Sequence, residues 1–185
     1  NSTLNSVESP VYGSPKQSIY SAYSQIEYSG LNQITLTAGG RYDIEKTDSS
    51  KQNIQFNPKL GISYNSDLGV RLRGSVGRGF RAPMAGERFA ALRFQGITVV
   101  PNLQLLPEES WSFEGGLAYE FIWFSSPISV DVAYFQNELS QLVEPQFTLD
   151  GKIKFENITR ARVQGIDCMV RTFIDSTVGI EMSPS

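Results

Sequence analysis

The chain has 185 residues, 19% charged and 40% hydrophobic, with a formal net charge of −3. Its dispersed basic residues do not form the charged footprint of a nucleic-acid-binding protein. It has no histidine and a single cysteine, Cys168, which excludes a zinc site, an internal disulfide and a nucleophile–histidine pair. We therefore expect no enzyme, no cofactor and no metal site. No apolar run approaches the roughly 18 residues of a membrane helix.

Residues 1–16 are rich in Ser and Pro without periodicity, which predicts a loop or a frayed end. From Ser18 onward, apolar and polar residues alternate with a period of two, the pattern of strands with one apolar face. This pattern predicts strands over 18–28, 33–43, 54–65, 70–81, 110–121, 128–137 and 152–173, with an eighth beginning near Val178.

The connections between these strands differ in length. Those at 29–32, 65–69, 122–127 and 174–177 are short, whereas those at 44–53, 81–107 and 144–151 are longer and polar. Sequential strands with alternating short and long connections predict an all-β antiparallel meander of about eight strands. Short turns would lie on one edge and long loops on the other, as in outer-membrane barrels.

Aromatic residues suggest that the apolar face meets lipid. Tyr20 and Tyr28 lie eight residues apart on one face, as do Phe56 and Tyr64. Eight residues at about 3.3 Å, tilted by about 40°, give about 20 Å of depth, near the roughly 25 Å apolar band of such barrels. Soluble sandwiches also alternate, but the connection lengths favour a membrane barrel. The prediction places one set outward (Tyr20, Tyr28, Phe56, Tyr64 and Trp111) and another inward (Arg41, Lys59, Arg71 and Arg73).

Several motifs occur in a fixed order. They are GFRAP at 79–83, Glu87-Arg88, PNL at 101–103, LPEES at 106–110, EGG at 114–116, YFQN at 134–137, FENI at 155–158 and GID at 165–167. Together they resemble the TonB-dependent outer-membrane receptors, over about 77–170. Met84 departs from the small hydroxyl residue commoner in the family, and Asp167 stands where the family usually has Glu.

The resemblance implies a barrel of about 22 strands around a plug. We interpret 17–185 as a partial transmembrane barrel, an internal part without the plug domain, the TonB box or the final strand. The implied function is active uptake of a scarce bulky ligand, such as a ferric siderophore, cobalamin or a glycan. The implied partners are TonB, acting through a plug outside this chain, outer-membrane lipid and the ligand, a small molecule or metal chelate. The alternatives are a passive porin or adhesin barrel and, less favoured, a soluble β-sandwich binding module.

A set of charged residues forms the candidate site. Arg71, Arg73 and Arg81 share strand parity and should face the lumen, where Arg forks suit carboxylates. The residues predicted to contact ligand or plug are Lys59, Arg71, Arg73, Arg81, Glu87, Arg88, Arg93 and Glu114. The alternative, favoured because barrel interiors are normally polar, is that the basic residues pair across the wall with Glu114, Glu120 and Asp131.

The long connection at 81–107 carries apolar residues on an otherwise polar loop. They could contact an apolar ligand, or they could pack the loop onto the barrel rim or the plug. Both interpretations stay open from the residues alone, which are Phe89, Leu92, Phe94, Val99 and Val100.

Overall fold

A computed structural model describes residues 2–3, 16–47, 50–94, 97–158, 160–175 and 178–182. The elements are β1 (Ser2–Thr3), β2 (Gln17–Leu31), β3 (Ile34–Thr47), β4 (Ser50–Asn65), β5 (Val70–Arg81), α1 (Ala85–Phe89), β6 (Leu92–Phe94), β7 (Ile97–Val100), β8 (Glu108–Trp123), β9 (Ser126–Ser140), β10 (Leu142–Phe147), β11 (Lys152–Ile158), β12 (Ala161–Asp175) and β13 (Val178–Met182). Among the described residues, no helix is long and apolar enough to cross a membrane.

The main sheet has nine strands in the order β1-β2-β3-β4-β5-β8-β9-β12-β13. Every neighbouring pair in it is antiparallel. The strands of this sheet lie side by side in the order in which they occur along the chain. The predicted antiparallel meander is therefore confirmed. The turns after β2, β4 and β8 lie at one end of the strands, and the two long excursions, 82–107 and 141–160, lie at the other.

The predicted long connection at 44–53 is wrong. Strand β3 continues to Thr47 and β4 begins at Ser50, with Ile44 opposite Ile54 and Glu45 opposite Asn53. Glu45 is typical of a loop in the sequence, but on the polar face of the sheet it pairs with Arg88 and accepts hydrogen bonds from Gln17 and Asn53. Residues 48–49, which join the two strands, lie outside the described residues.

The predicted loop at 144–151 and strand at 152–173 are also wrong in their bounds. Strand β10 reaches Phe147, and the 152–173 segment is two strands, β11 and β12, in different sheets. Strand β11 pairs with β10, whereas β12 pairs with β9. The ragged sequence pattern there reflects this change of sheet.

The two long excursions share a four-stranded sheet in the order β10-β11-β7-β6. The first excursion, predicted as a loop, contains α1 and contributes β6 and β7 to this sheet, and the second contributes β10 and β11. They meet through a parallel pairing in which Lys152, Ile153 and Lys154 lie opposite Thr98, Val99 and Val100. Each excursion thus completes a sheet with strands from the other.

The register of the main sheet separates two faces. On the apolar face, Tyr28, Leu36 and Ile62 lie in one cross-strand row. On the polar face, Tyr23, Arg41 and Asn57 lie in another. The predicted separation is confirmed, with one set on the apolar face (Tyr20, Tyr28, Phe56, Tyr64 and Trp111) and the other on the polar face (Arg41, Lys59, Arg71 and Arg73).

The border of the apolar face runs diagonally across the sheet. In β4 the apolar positions begin at Ile54, near the long-connection end, whereas in β12 they begin at Ile166. Ile166 lies in the same cross-strand row as Ile62, eight residues further along β4. A level apolar band crosses rows in this way when the strands are tilted, as barrel closure requires.

The short turns tie neighbouring hairpins together at the opposite end. The Asn65 amide donates to the Gln33 carbonyl over 2.7 Å, and the Gln33 side chain donates to Asp67 over 2.7 Å. Gly69 has φ of +77°, and a Cβ there would collide with the Glu120 carbonyl. This turn therefore requires glycine.

Candidate functional site

The chain reversal after β5 is held by one arginine. Arg81 donates twice to Glu108, over 2.5 and 2.7 Å, and twice to Glu87, over 3.1 Å each. Glu87 also accepts the Met84 amide over 2.7 Å. Paired forks of this kind fix direction as well as charge. Arg81 thus sets where residues 82–90, the strap, leave the main sheet.

The strap then lies over the polar face at the ends of β2 and β3. Arg88 and Glu45 form an ion pair of 3.0 Å with side chains only 4% and 3% exposed. Arg88 also donates to the Leu105 carbonyl over 3.3 Å, and Glu45 accepts from Gln17 over 2.7 Å. Among the described residues, the Nε atom of Arg88 is buried without a partner. This pair joins the strap to the wall.

Two asparagines join the first excursion to the second. Asn102 donates to the Phe155 carbonyl over 2.8 Å. Asn157 donates to the Leu106 carbonyl over 2.9 Å and accepts the Leu106 amide over 2.8 Å. Both asparagines belong to the motifs that carry the family resemblance. The geometry gives those motifs a structural role, since they lock the two excursions into one unit.

The apolar residues of the first excursion are packed to different degrees. Leu105 and Ala90 are buried, at 4% and 6% exposure. Phe89 and Leu92 are half-buried, as are Val99 and Val100. The side chain of Phe94 lies outside the described residues. Packing within the excursion accounts for part of this apolar content, and contact with a ligand stays a prediction.

The hairpin between β10 and β11 ends in an exposed turn. Phe147 and Leu149 expose most of their side chains to solvent. Asp150 accepts hydrogen bonds from Lys152 and Thr148, which lower its pKa to about 2. The turn is therefore the apolar tip of the second excursion, with a carboxylate that stays charged under all ordinary conditions.

On the polar face, β5, β8, β9 and β12 line a groove that we call the acidic groove. Its charged residues are Arg73, Glu114, Asp131 and Asp167. Arg73 holds Asp131 through two hydrogen bonds of 2.7 and 2.8 Å and Glu114 through one of 3.3 Å. One base thus faces three acids. The predicted pairing across the wall holds for Glu114 and Asp131, whereas Glu120 forms no ion pair with Arg71, Arg73 or Arg81.

On the same face, β2 to β5 line a second groove that we call the basic groove. Its charged residues are Arg41, Asp43, Lys59, Arg78 and Arg81. Asp43 is 1% exposed and accepts from Ser21 over 2.5 Å, from Arg41 over 2.9 Å and from Asn57 over 3.1 Å. Its negative charge is therefore satisfied by the wall itself.

The basic groove includes an opening between two strands. Pairing of β4 with β5 ends at Lys59 and Gly77. Beyond that point Arg78 bridges the gap, donating to the Phe56 carbonyl over 2.7 Å and to Gln55 over 3.1 Å. The same guanidinium pairs with Glu109 at 2.7 Å. Arg78 thus closes the gap where the hydrogen-bond ladder stops.

The eight predicted site residues do not form a single cluster. Arg81, Glu87 and Arg88 hold the strap, and Arg73 and Glu114 lie in the acidic groove. Arg71 donates to Asn65 at 2.8 Å, and Arg93 is exposed on β6. Lys59 lies in the basic groove. Sequence reasoning missed Tyr23, Arg41, Asp43 and Glu45 as site residues, although their alternation on one face was visible.

Comparison with known proteins gives one consistent family. The family model described as "TonB dependent receptor-like, beta-barrel" matches residues 1–171. A probable hemoglobin and hemoglobin-haptoglobin-binding protein of Haemophilus influenzae is 26% identical over 120 residues, which cover 58% of this chain and 12% of that protein. The chain therefore spans a small part of that relative.

Solved structures show the same fold. The hemophore receptor HasR of Serratia marcescens, in complex with its hemophore and heme, superposes with a TM-score of 0.76 at 18% identity, over 88% of this chain and 33% of that one. The ferric enterobactin receptor PfeA of Pseudomonas aeruginosa, in complex with enterobactin, gives 0.75 at 19% identity, over 92% and 27%. The siderophore receptor PirA from Pseudomonas aeruginosa gives 0.71 at 17%, over 91% and 31%.

Proposed function

The chain belongs to the β-barrel family of TonB-dependent receptors, and on this premise we propose that it forms part of the wall and mouth of an outer-membrane receptor for a scarce, bulky ligand. Residues 17–185 would be a segment of the barrel. It would act as part of a receptor and not as an enzyme. The family match disfavours the soluble sandwich and the passive porin.

One observation carries this proposal. Both long excursions fold together at one end of a two-faced sheet, and the strap reaches back over the polar face. If the apolar face meets lipid, the polar face lines the lumen, and the excursions stand outside the cell. Such an arrangement surrounds a ligand with rigid wall on one side and folded loops on the other. The wall performs no chemistry on it.

We propose an iron-bearing ligand, a ferric siderophore or haem. The similar proteins are described as binding haem with a hemophore, enterobactin, or haemoglobin. TonB would supply the energy by acting on a plug domain encoded elsewhere in the full-length protein. We propose that the eight predicted site residues contact the ligand or the plug. Lys59 is the best placed of them, because it lines the basic groove and its ammonium has no partner among the described residues.

The test of uptake uses the full-length protein in its own cells. Deleting its gene should abolish growth under iron limitation on one of haem, haemoglobin or a ferric siderophore, and a plasmid copy should restore growth. Deleting TonB should have the same effect as deleting the receptor. Uptake that survives without TonB would contradict active transport and support a passive pore.

The test of orientation uses surface labelling of intact cells. In a Cys168→Ser background, Leu149→Cys at the hairpin tip should react with a membrane-impermeant thiol reagent. Asp67→Cys, at the short-turn end, serves as the matched control and should react only after the outer membrane is permeabilised. Labelling of both positions, or only of Asp67→Cys, on intact cells would contradict the proposed topology.

A further inference from the structure

The basic groove carries more positive charge than its own acids can balance. Arg78 is satisfied by Glu109, and Arg81 by Glu87 and Glu108, all of which lie outside the groove lining. The one acid of the lining, Asp43, is buried beneath its hydrogen bonds. Lys59 therefore remains without a counter-ion, and Arg41, which pairs with Asp43 through Nε, keeps Nη1 without an acceptor among the described residues. Resting on the proposed function, we propose that the basic groove binds a carboxylate through Lys59 and Arg41.

Glycines lie on both sides of Lys59 in the sheet. Its cross-strand neighbours are Gly39 on β3 and Gly77 on β5. A Cβ on Gly77 would lie 3.8 Å from Cγ of Lys59, so a side chain there would occupy the room beside it. Lys59 has no ion pair or hydrogen bond among the described residues. Its three N–H donors are available to an anion that enters the groove.

Arg41 is held in place by groups that leave part of it exposed. Its Nε donates to Asp43 over 2.9 Å and its Nη2 to Ser21 over 3.1 Å. The side chain is 56% exposed, and among the described residues Nη1 has no acceptor. Asp43 thus orients a guanidinium whose free edge faces the groove. An oriented fork loses less freedom on binding a carboxylate than a mobile one.

The register brings these cations within reach of one ligand. Arg41 lies opposite Asn57 and Gly39 lies opposite Lys59, so Arg41 and Lys59 are diagonal neighbours, roughly 7–8 Å apart at Cα. Tyr23 lies directly opposite Arg41 and is 85% exposed. Its ring adds an apolar wall beside the two charges. The groove therefore suits an anion attached to a flat or apolar body.

The surroundings direct an anion to this groove and away from the other. The acidic groove, on the same face, has three acids against one arginine, and like charges repel an anionic ligand. The strap and Arg81 limit the basic groove at the long-connection end. The carboxylate itself could belong to the imported ligand or to the plug domain, and both sources satisfy the same two cations.

The experiment uses full-length receptor purified in detergent, with two iron chelates as probes. One is ferric citrate, which carries free carboxylates, and the other is an uncharged ferric trihydroxamate. Variants are Lys59→Gln, Lys59→Arg as the conservative form, and Lys46→Gln as a control on the apolar face. A second arm treats wild type with a carbodiimide, which joins an amine to a carboxylate in contact with it, and locates the product by mass spectrometry.

If the carboxylate belongs to the ligand, Lys59→Gln should weaken binding of ferric citrate at least about tenfold, the effect of losing one charge-assisted hydrogen bond. Lys59→Arg should retain affinity, and the trihydroxamate and Lys46→Gln should show no change. If the carboxylate belongs to the plug, carbodiimide should join Lys59 to a plug acid. If neither the loss of ferric citrate binding nor the Lys59 crosslink is observed, the proposal is overturned. Wild type that crosslinks but mediates no iron uptake in cells would leave the groove standing and reject the proposed function.

Discussion

The basic and acidic grooves lie side by side on one polar face, yet the counter-ions of their cations come from different places. In the acidic groove, the counter-ions of Arg73 are Glu114 and Asp131, which line the same groove. The charge of Arg73 is therefore neutralised within the wall. In the basic groove the counter-ions of Arg78 and Arg81 come from outside, and Asp43 is buried. Counting charges on a strand therefore does not tell which remain available. Availability depends on which element supplies each partner.

The largest expected effect comes from detaching the strap, which limits the basic groove at the long-connection end. Arg88→Ala leaves Glu45 buried without its cation, which should cost about 3–5 kcal/mol because an unpaired buried charge remains. The acidic groove lies outside the strap and should be unaffected. Hydrogen exchange of the full-length receptor should show faster exchange in 82–107 but not in β9 or β12. Arg93→Ala, which removes an exposed arginine of the same excursion, is the control. Equal exchange in the two variants would contradict the role of Arg88 in holding the strap on the wall.

The second prediction tests whether the ion pairs of Arg73 with Glu114 and Asp131 stabilise the wall. Arg73→Ala should lower the free energy of unfolding by about 1–2 kcal/mol, between the values for exposed and buried pairs. Adding Asp131→Asn should recover part of this loss, because the uncompensated charge disappears. Thermal unfolding in detergent measures both. Arg162→Ala breaks the ion pair between Glu138 and an arginine that is 59% exposed, and it should change the free energy of unfolding little. A loss as large as that of Arg73→Ala would contradict a special role of the Arg73 pairs.

A third comparison uses the glycine beside each cation. Gly116 lies opposite Arg73 of the acidic groove, and a Cβ there would lie 2.6 Å from Cζ of Arg73. Gly77 lies opposite Lys59 of the basic groove, and a Cβ there meets nothing closer than 3.7 Å. Gly116→Ala should therefore displace Arg73 and cost about 1 kcal/mol, as overpacking does. Gly77→Ala should cost less than about 0.5 kcal/mol. Unfolding midpoints that fall equally would show that the acidic groove is no more tightly packed.

The smallest effect concerns the tip of the second excursion, which lies on the side of the acidic groove. The pKa of Asp150 is depressed to about 2. A depressed folded-state pKa contributes stability above the unfolded value, near 3.8, that is lost as pH falls through about 2. Between pH 7 and pH 5 the turn should be unchanged. A titration of its amide signals in the full-length receptor that moves near pH 5 would contradict this assignment.

Much of the main sheet was predictable because its information is local. The alternation through Tyr20, Phe56 and Tyr64 fixes which residues share a face, and turns such as that at Gly69 fix the hairpins. The strand ends near Thr47 and Ser50 were not predictable from polarity. Glu45 in this region is stabilised by Arg88, which comes from a distant segment of the chain.

The site was less predictable, since its contacts are far apart in sequence. Arg88 meets Glu45 across 43 residues, and Asn157 meets Leu106 across 51. No periodicity encodes such a contact. The parallel pairing of β7 with β11 joins a four-residue strand, which was predicted as loop, to the first part of a segment predicted as one long strand. The parity of Arg71, Arg73 and Arg81 was predicted correctly, but parity gives the face and not the partner.

The sheet shared by the two excursions has a consequence for exchanging segments between receptors. Strand β7 completes its pairing with β11, and Asn102 and Asn157 bond to the other excursion's backbone. A graft that transfers 82–107 without 141–160 would place each excursion against a partner from another receptor, so that the β7–β11 pairing and the asparagine contacts would not match. Recombination within this part of the barrel should therefore succeed when both excursions travel together. The two behave as a single cassette, although the chain encodes them on either side of β8 and β9.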